Sequence, residues 1–372
     1  MKSLFRIQTK SPTADGKSLL WVVLLASGLL LVGKGLAATS TSPPHLKPAQ
    51  EILMGILPKS CGDLLPDEDG NLWCSDLLRK SIVKITPSGK EPEILEGAKL
   101  FPGGLEFPGR LSLSGSLLAV EDHNMSLHIV NVKTRRHVQT IPYEVLHGEV
   151  RINPSAGFTL WNDRILYTGL GFQGAPPSFD QPAQALTLFS TDLDGRGLDI
   201  LKQENLPAAA RIGRTLFGTG FSAPVPHGRM AVCQALPGRL LLLGPGGKVL
   251  RETPVRGLDV PAISREVLAH EDLQAETLAA TPHIAGIFVV KDWIALVIER
   301  PSPAGPRLTA SWLTLDLDPV KEEVIELPAQ LSKWDVVARI ICDRQEGVLF
   351  LVRRQQPGTV PSARLFRSQV IW

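Results

Sequence analysis

Six copies of a four-strand pattern predict an all-β fold, a six-bladed β-propeller. Three observations carry that expectation: the layout of Gly62 to Leu95, its recurrence down the chain, and an abundance of turn residues, 33 Gly and 30 Pro among 372 residues. In Gly62 to Leu95 an Asp-rich turn ending at Gly70-Asn71 leads into the apolar run Leu72-Trp73-Cys74. A polar link over Asp76 to Lys80 leads into Ile82 to Ile85, and Pro87-Ser88-Gly89 turns the chain into Ile94-Leu95. Four short strands separated by turns are the content of one blade.

The same pattern returns in Pro108 to Ile141, in Val150 to Leu201, and in the stretches around Met230, Ile294 and Val348. Equivalent second-strand positions are Leu72, Leu117, Ile165, Met230, Ile294 and Val348. The shortest of their spacings match the roughly 40–50 residues of a propeller repeat, and the longer ones require insertions. Leu240 to Leu243 does not alternate, as expected of a strand covered on both faces by neighbouring blades. The last copy lacks an outer strand, while Glu51 to Leu57 stands before the first blade with no other role. Pairing those two ends would close the ring and remove a free sheet edge. The propeller is therefore expected over residues 51–372.

The motifs Asp69-Gly70-Asn71-Leu72-Trp73-Cys74-Ser75-Asp76 and Pro108-Gly109-Arg110-Leu111-Ser112-Leu113 resemble the repeat of NHL-type six-bladed propellers. That superfamily also holds the gluconolactonase and streptogramin-lyase groups. The likeness spans most of the propeller, and its specific motifs lie in the first two blades. It implies the fold and no single activity, because such propellers include binding modules and several metal-dependent enzymes.

Ahead of the propeller, Lys2, Arg6, Lys10 and Lys17 precede an apolar run from Leu19 to Val32, which Lys34 closes. Gly35-Leu36-Ala37 offers the small-x-small pattern of a cleavage site. Residues 1–37 read as a signal peptide or a signal anchor. Positive charge before the segment keeps the N-terminus in the cytoplasm and sends the rest across. The propeller is thus expected outside the cytoplasm, periplasmic or extracellular, held at the inner membrane by residues 19–33 if the segment is not cleaved. Residues 38–50 are Ser/Thr/Pro-rich and read as a flexible linker. None of the four cysteines sits in a Cys-x-x-Cys pair, which disfavours zinc. Cys61 and Cys74 flank one turn on neighbouring strands, where they could bridge in an oxidising compartment or serve as small core residues. The net charge of +2 comes without a basic stripe interleaved with aromatics, so nucleic acid is not an expected partner.

In each blade the links between strands two and three, and between blades, share one face of the disc. The long links fall there: Gly169 to Gln184, Lys202 to Arg214, Arg256 to Thr281, Pro301 to Arg307 and Gln355 to Ser362. Within them Pro261 to Leu278 predicts a helix with Ile263, Val267 and Leu268 inward, able to roof the channel. First strands begin at that face, placing Lys59, Arg110, Arg151, Arg214, His283 and Asp335 near the channel mouth. Arg110, Arg151, Arg214, His283 and Asp335 are the candidate ligand-binding residues, and guanidinium forks suit carboxylate or phosphate. The expected function is an exported binding or scaffolding module for a protein or small anionic ligand, using the long-loop face.

The competing class is a metal-dependent hydrolase or lyase with its site at the channel mouth; only that reading calls for a divalent metal. Glu121-Asp122-His123-Asn124 supplies ligand types in a row, but alternation along a strand lets at most two share one ion. Partners would then come from His147, His227, Glu299 or His283. No metal site is assigned, and neither Gly-x-Ser-x-Gly nor His-Glu-x-x-His occurs.

Overall fold

The turn chemistry read above partitions the chain into short antiparallel strands, and a computed structural model gives their pairing. It describes residues 42–372 except 53–54, 89–90, 124–125, 144–149, 153–156, 175–177, 179–180, 218–219, 236–237, 257, 259–262, 301, 303–304, 329–330, 333, 344, 355 and 357–361. Residues 1–37, read as a signal peptide or anchor, and His147 and Asn124 lie outside the described residues. No helix among the described residues is long and apolar enough to cross a membrane.

Two short strands come first, β1 (His45–Leu46) and β2 (Gln50–Ile52). Blade one follows as β3 (Cys61–Pro66), β4 (Leu72–Asp76), β5 (Ser81–Ile85) and β6 (Glu93–Glu96), with a one-turn helix α1 (Gly97–Leu100) after it. Blade two is β7 (Pro108–Ser114), β8 (Leu117–Asp122), β9 (Ser126–Asn131) and β10 (Arg136–Pro142). Blade three holds β11 (Val150–Ile152), β12 (Phe158–Trp161), β13 (Arg164–Tyr167), β14 (Gly171–Gln173), β15 (Ala183–Asp192) and β16 (Asp199–Leu206). Its inner hairpin is interrupted, so that β12 pairs β13 and β11 pairs β14.

Helix α2 (Ala208–Phe217) leads into blade four, β17 (Gly220–Val225), β18 (Arg229–Gln234), β19 (Arg239–Leu243) and β20 (Val249–Pro254). Helices α3 (Glu266–Ala269) and α4 (Glu271–Ala280) precede blade five, β21 (His283–Val290), β22 (Trp293–Arg300), β23 (Arg307–Thr314) and β24 (Pro319–Ile325). Blade six is β25 (Asp335–Cys342), β26 (Gly347–Arg354) and β27 (Ser362–Ile371).

The N-terminal strands complete blade six: Gln50, Glu51 and Ile52 pair with Arg367, Phe366 and Leu365. Arg364 reinforces this clasp by donating from both Nε and Nη2 to the Glu51 carboxylate. The closure begins upstream of the expected Glu51, because His45 and Leu46 also pair, with Ile371 and Val370. That pairing falls in the stretch read as linker.

The apolar core is divided among the six junctions between blades. Trp73 and Ile82 meet Leu118 and Val120 between blades one and two, and Ile129 meets Tyr167 and Phe189 in the next. Leu166 and Leu188 pack on Val232 and Leu241, Leu240 and Leu242 on Ile294 and Leu296. Phe288 and Trp312 pack on Phe350, and Leu349 and Leu351 return to Cys61 and Cys74. A sheet buried on both faces explains the non-alternating runs. Cys61 and Cys74 are free thiols in that last layer, which is the core-residue reading of the pair.

Several links hold more structure than expected. Gly169 to Gln184 contains β14, and Lys202 to Leu206 continues an outer strand before α2 begins. The expected single helix is two, α3 and α4, with Ile263 buried and Val267 and Leu268 half-buried against Ile212 and Leu278.

Candidate functional site

Four first strands carry a register slip close to where they begin. The shifts fall between Cys61 and Leu64, Pro108 and Leu111, Ile284 and Gly286, and Val337 and Arg339. A bulge of this kind re-aims side chains next to a strand end. The residues it turns include Gly62-Asp63, Gly109-Arg110 and Ala338, and all of them line one cavity of about 540 Å³.

Its wall also includes second-strand ends, Glu121 and Arg353, with His123, His283 and Arg339, and the apolar Phe107, Phe221 and Ile284. Thr215 and Leu216 of α2 and Leu278 of α4 cover it, so the helices roof this space. Ile212 and Ile263, with Leu216 and Leu278 packed against them, hold the two helical segments together.

Arg110 reaches from blade two to blade four, where Nη1 donates to the Gly220 carbonyl at 3.2 Å. Its guanidinium lies 5.7 Å from the centroid of the Phe221 ring. Gly157 leaves room for Arg110, and Gly109 leaves room for His123 beside it. A Cβ on Gly157 would sit 2.7 Å from Arg110 Nη1, and one on Gly109 would sit 2.6 Å from His123 Nε2.

Glu121 is 1% exposed, and Tyr143 donates its hydroxyl to Oε1 at 3.4 Å. Burial pushes its carboxyl up to about 7, against the pull of Arg110 and the Tyr143 hydroxyl. Burial and then Arg110 hold the His123 imidazole below its ordinary value, which favours the neutral ring.

Asp63 is structural as well as wall. Its Oδ1 accepts from Leu64 N at 2.8 Å and its Oδ2 from Leu111 N at 2.8 Å, stitching blade one to blade two. Arg339 Nε approaches Oδ1 at 3.4 Å. Glu299 plays a similar part between blades five and six, accepting from Val337 N at 3.0 Å, with His283 Nε2 at 3.7 Å.

Of the five sequence candidates, Arg110 and His283 line the cavity. Arg151 is exposed on β11 between buried Val150 and Ile152, so alternation turns it to solvent. Arg214 does not start a first strand. It lies on α2, fully buried one helical turn from Arg211, with Glu204 at 3.5 Å. Asp335 is buried and held by Arg354, at 3.0 Å to Oδ1 and 2.9 Å to Oδ2, and by the Ser332 N–H at 2.7 Å. The three arginines expected to converge are therefore dispersed.

A different trio faces the cavity: Arg110, Arg339 and Arg353. Arg353 escaped the sequence reading because that reading followed first-strand starts. In an antiparallel pair the second strand ends at the same place, and Val336 indeed pairs with Arg353. Glu121 and His123 sit together here, as two-residue alternation requires. Asp122 turns the other way, to accept from the Glu106 and Phe107 N–H groups at 2.8 Å each. Among the described residues no three His, Cys, Asp or Glu side chains gather as a metal-binding set.

No family model matches the sequence, and no curated protein sequence matches it. Solved structures do. Regucalcin from Agrobacterium tumefaciens, a calcium-binding protein, superposes with a TM-score of 0.50 at 9% identity, covering 87% of this chain and 95% of that one. The PQQ-bound aldose sugar dehydrogenase of Streptomyces coelicolor gives 0.50 at 10% identity, covering 88% and 100%. Streptogramin B lyase gives 0.48 at 12% identity, covering 87% and 97%. The likeness is one of fold. The resemblance read from the first two blades holds at that level, and the residues of the mouth have to speak for the activity.

Proposed function

We propose that this chain is an exported propeller that binds a small oxyanion, a carboxylate or phosphate group on a larger ligand, at the roofed mouth of its channel. The observation that carries the reading is Arg353. It lines the cavity half-buried, and among the described residues it meets no hydrogen-bonding or ion-pairing side chain. Burial lowers its pKa from the ordinary value, with Cys61 and Asp63 opposing, which marks a cation deprived of water and short of a counter-charge. A ligand oxyanion would supply that charge, with Arg110 on the same cavity and the Phe221 and Leu216 surfaces for an apolar portion.

The metal-dependent alternative draws support from propeller neighbours such as the calcium-binding regucalcin. The local chemistry runs against it. Asp63 gives both oxygens to backbone N–H groups, Glu121 is held largely as the neutral acid below about pH 7, and three guanidinium groups face the same space. Those features oppose a divalent cation and favour an anion.

Calorimetric titration of wild type and of Arg110→Ala with Arg353→Ala tests the reading, using sulfate, inorganic phosphate, succinate, glucose and calcium. Charge-assisted contacts are typically worth about 1.5–3 kcal/mol each. An oxyanion should bind wild type and weaken at least about tenfold in the double variant, with the far-ultraviolet spectrum unchanged. Calcium binding with no oxyanion binding, or an oxyanion held equally by both proteins, would overturn the proposal.

A further inference from the structure

We infer that Glu121 makes anion binding at the mouth proton-linked: the site takes its oxyanion together with one proton, the Glu121 carboxyl donating to a ligand oxygen. The inference rests on the anion reading above and deepens it, because it names the residue that sorts ligands by charge.

The geometry is that of a carboxyl enclosed among cations and opening on the same cavity as they do. Oε2 of Glu121 lies 3.3 Å from the place of a Gly109 Cβ, against the bulged start of β7, and Oε1 accepts from Tyr143. Arg110 from β7 and Asp63 from β3 are the charged groups that face it, with Tyr143 after β10. His123, two residues along, and Arg353 and Arg339 of blade six complete the charged wall.

An ionised Glu121 would neutralise Arg110 and repel an incoming oxyanion across the same space. A neutral Glu121 leaves Arg110 uncompensated and presents an O–H donor. Only the neutral form is complementary to an anion. Since burial sets the carboxyl at about 7, both forms are populated near neutral pH and the ligand decides between them. A cation would select the opposite form, so the sign of the pH dependence reports the charge of the ligand.

Sulfate is the probe, because its charge does not change between pH 6 and 8. Titrations at pH 6, 7 and 8, in buffers of differing ionisation heat, measure affinity and protons taken up. Wild type should lose about tenfold in sulfate affinity from pH 6 to 8. It should take up a proton on binding at pH 8. Glu121→Gln keeps a neutral donor and should hold the pH 6 affinity at all three values. His123→Gln and His283→Gln should keep the wild-type slope.

Sulfate binding without pH dependence in wild type, or a slope that survives in Glu121→Gln, overturns this inference and leaves the anion site standing. A slope abolished by either histidine variant overturns it in favour of an imidazolium. No sulfate binding at any pH overturns the anion site itself. Proton uptake by wild type is read without any variant, so a Glu121→Gln chain that failed to fold would not shield the inference.

Discussion

Gly157 shows how far the mouth depends on missing atoms. A Cβ there would meet Thr168 Oγ1 at 2.5 Å, the Gly220 carbonyl at 2.6 Å and Arg110 Nη1 at 2.7 Å. Gly157→Ala should therefore push Arg110 off the Gly220 carbonyl, and the backbone contact should cost roughly 1–3 kcal/mol of stability. Sulfate titration alongside thermal unfolding checks this. Affinity should fall toward that of Arg110→Ala while the protein remains folded at 25 °C, and unchanged affinity would show that Arg110 is not placed by this glycine.

At this level the sequence was a partial guide. Alternation limited Glu121-Asp122-His123-Asn124 to two residues on one face without choosing which two, and Arg110 could be found from the Gly109-Arg110 start of a first strand. Arg339 and Arg353 could not, because their approach depends on a bulge and on which second strand ends beside which first strand. Those facts are set by register, and register is not written in residue types alone.

The roof is made of parts that sequence reading weighed unequally. Ile263, Val267 and Leu268 announced a helix by their spacing, and they do pack inward. Helix α2 was missed inside a stretch read as loop, although Pro207 followed by Ala208-Ala209-Ala210 is a helix start. Its Arg211 and Arg214 disguised it, since two buried arginines on one face look like a polar surface. Arg211 instead lies 5.2 Å from the Phe172 ring centroid and donates from Nη1 to the Ser178 and Gln181 carbonyls at 2.9 and 2.8 Å.

Ile212, 3% exposed, is where α2 meets the other helical segment. Ile212→Ala should cost about 2–4 kcal/mol and loosen the roof before the blades. Hydrogen exchange should then rise first in α2 and α4, leaving β18 and β22 protected. Uniform acceleration across the blades would show that the roof has no separate stability.

Across the molecule, the blade count was readable because it rests on periodicity, which every repeat states again. The ligand was not, because the mouth residues are not repeated from blade to blade and are gathered from several blades. Location rests on residues 1–37, read as an export segment. A reporter active only outside the cytoplasm, fused after Trp372, should be active on the full chain and silent once residues 1–41 are removed. Activity in both, or in neither, would remove the export proposal.

The clasp that completes blade six also imposes an order in time. Glu51 and Arg364 are 313 positions apart, so the ribosome makes one long before the other. At about 5–20 residues per second, β2 waits on the order of tens of seconds for β27 to exist. Throughout that interval five complete blades can form around a gap, while the outer strand of the sixth has no β27 to pair with. Ring closure must then follow the synthesis of β27, and pairing across so long a loop is intrinsically slow. A segment obliged to wait that long without a partner remains free to be threaded elsewhere first.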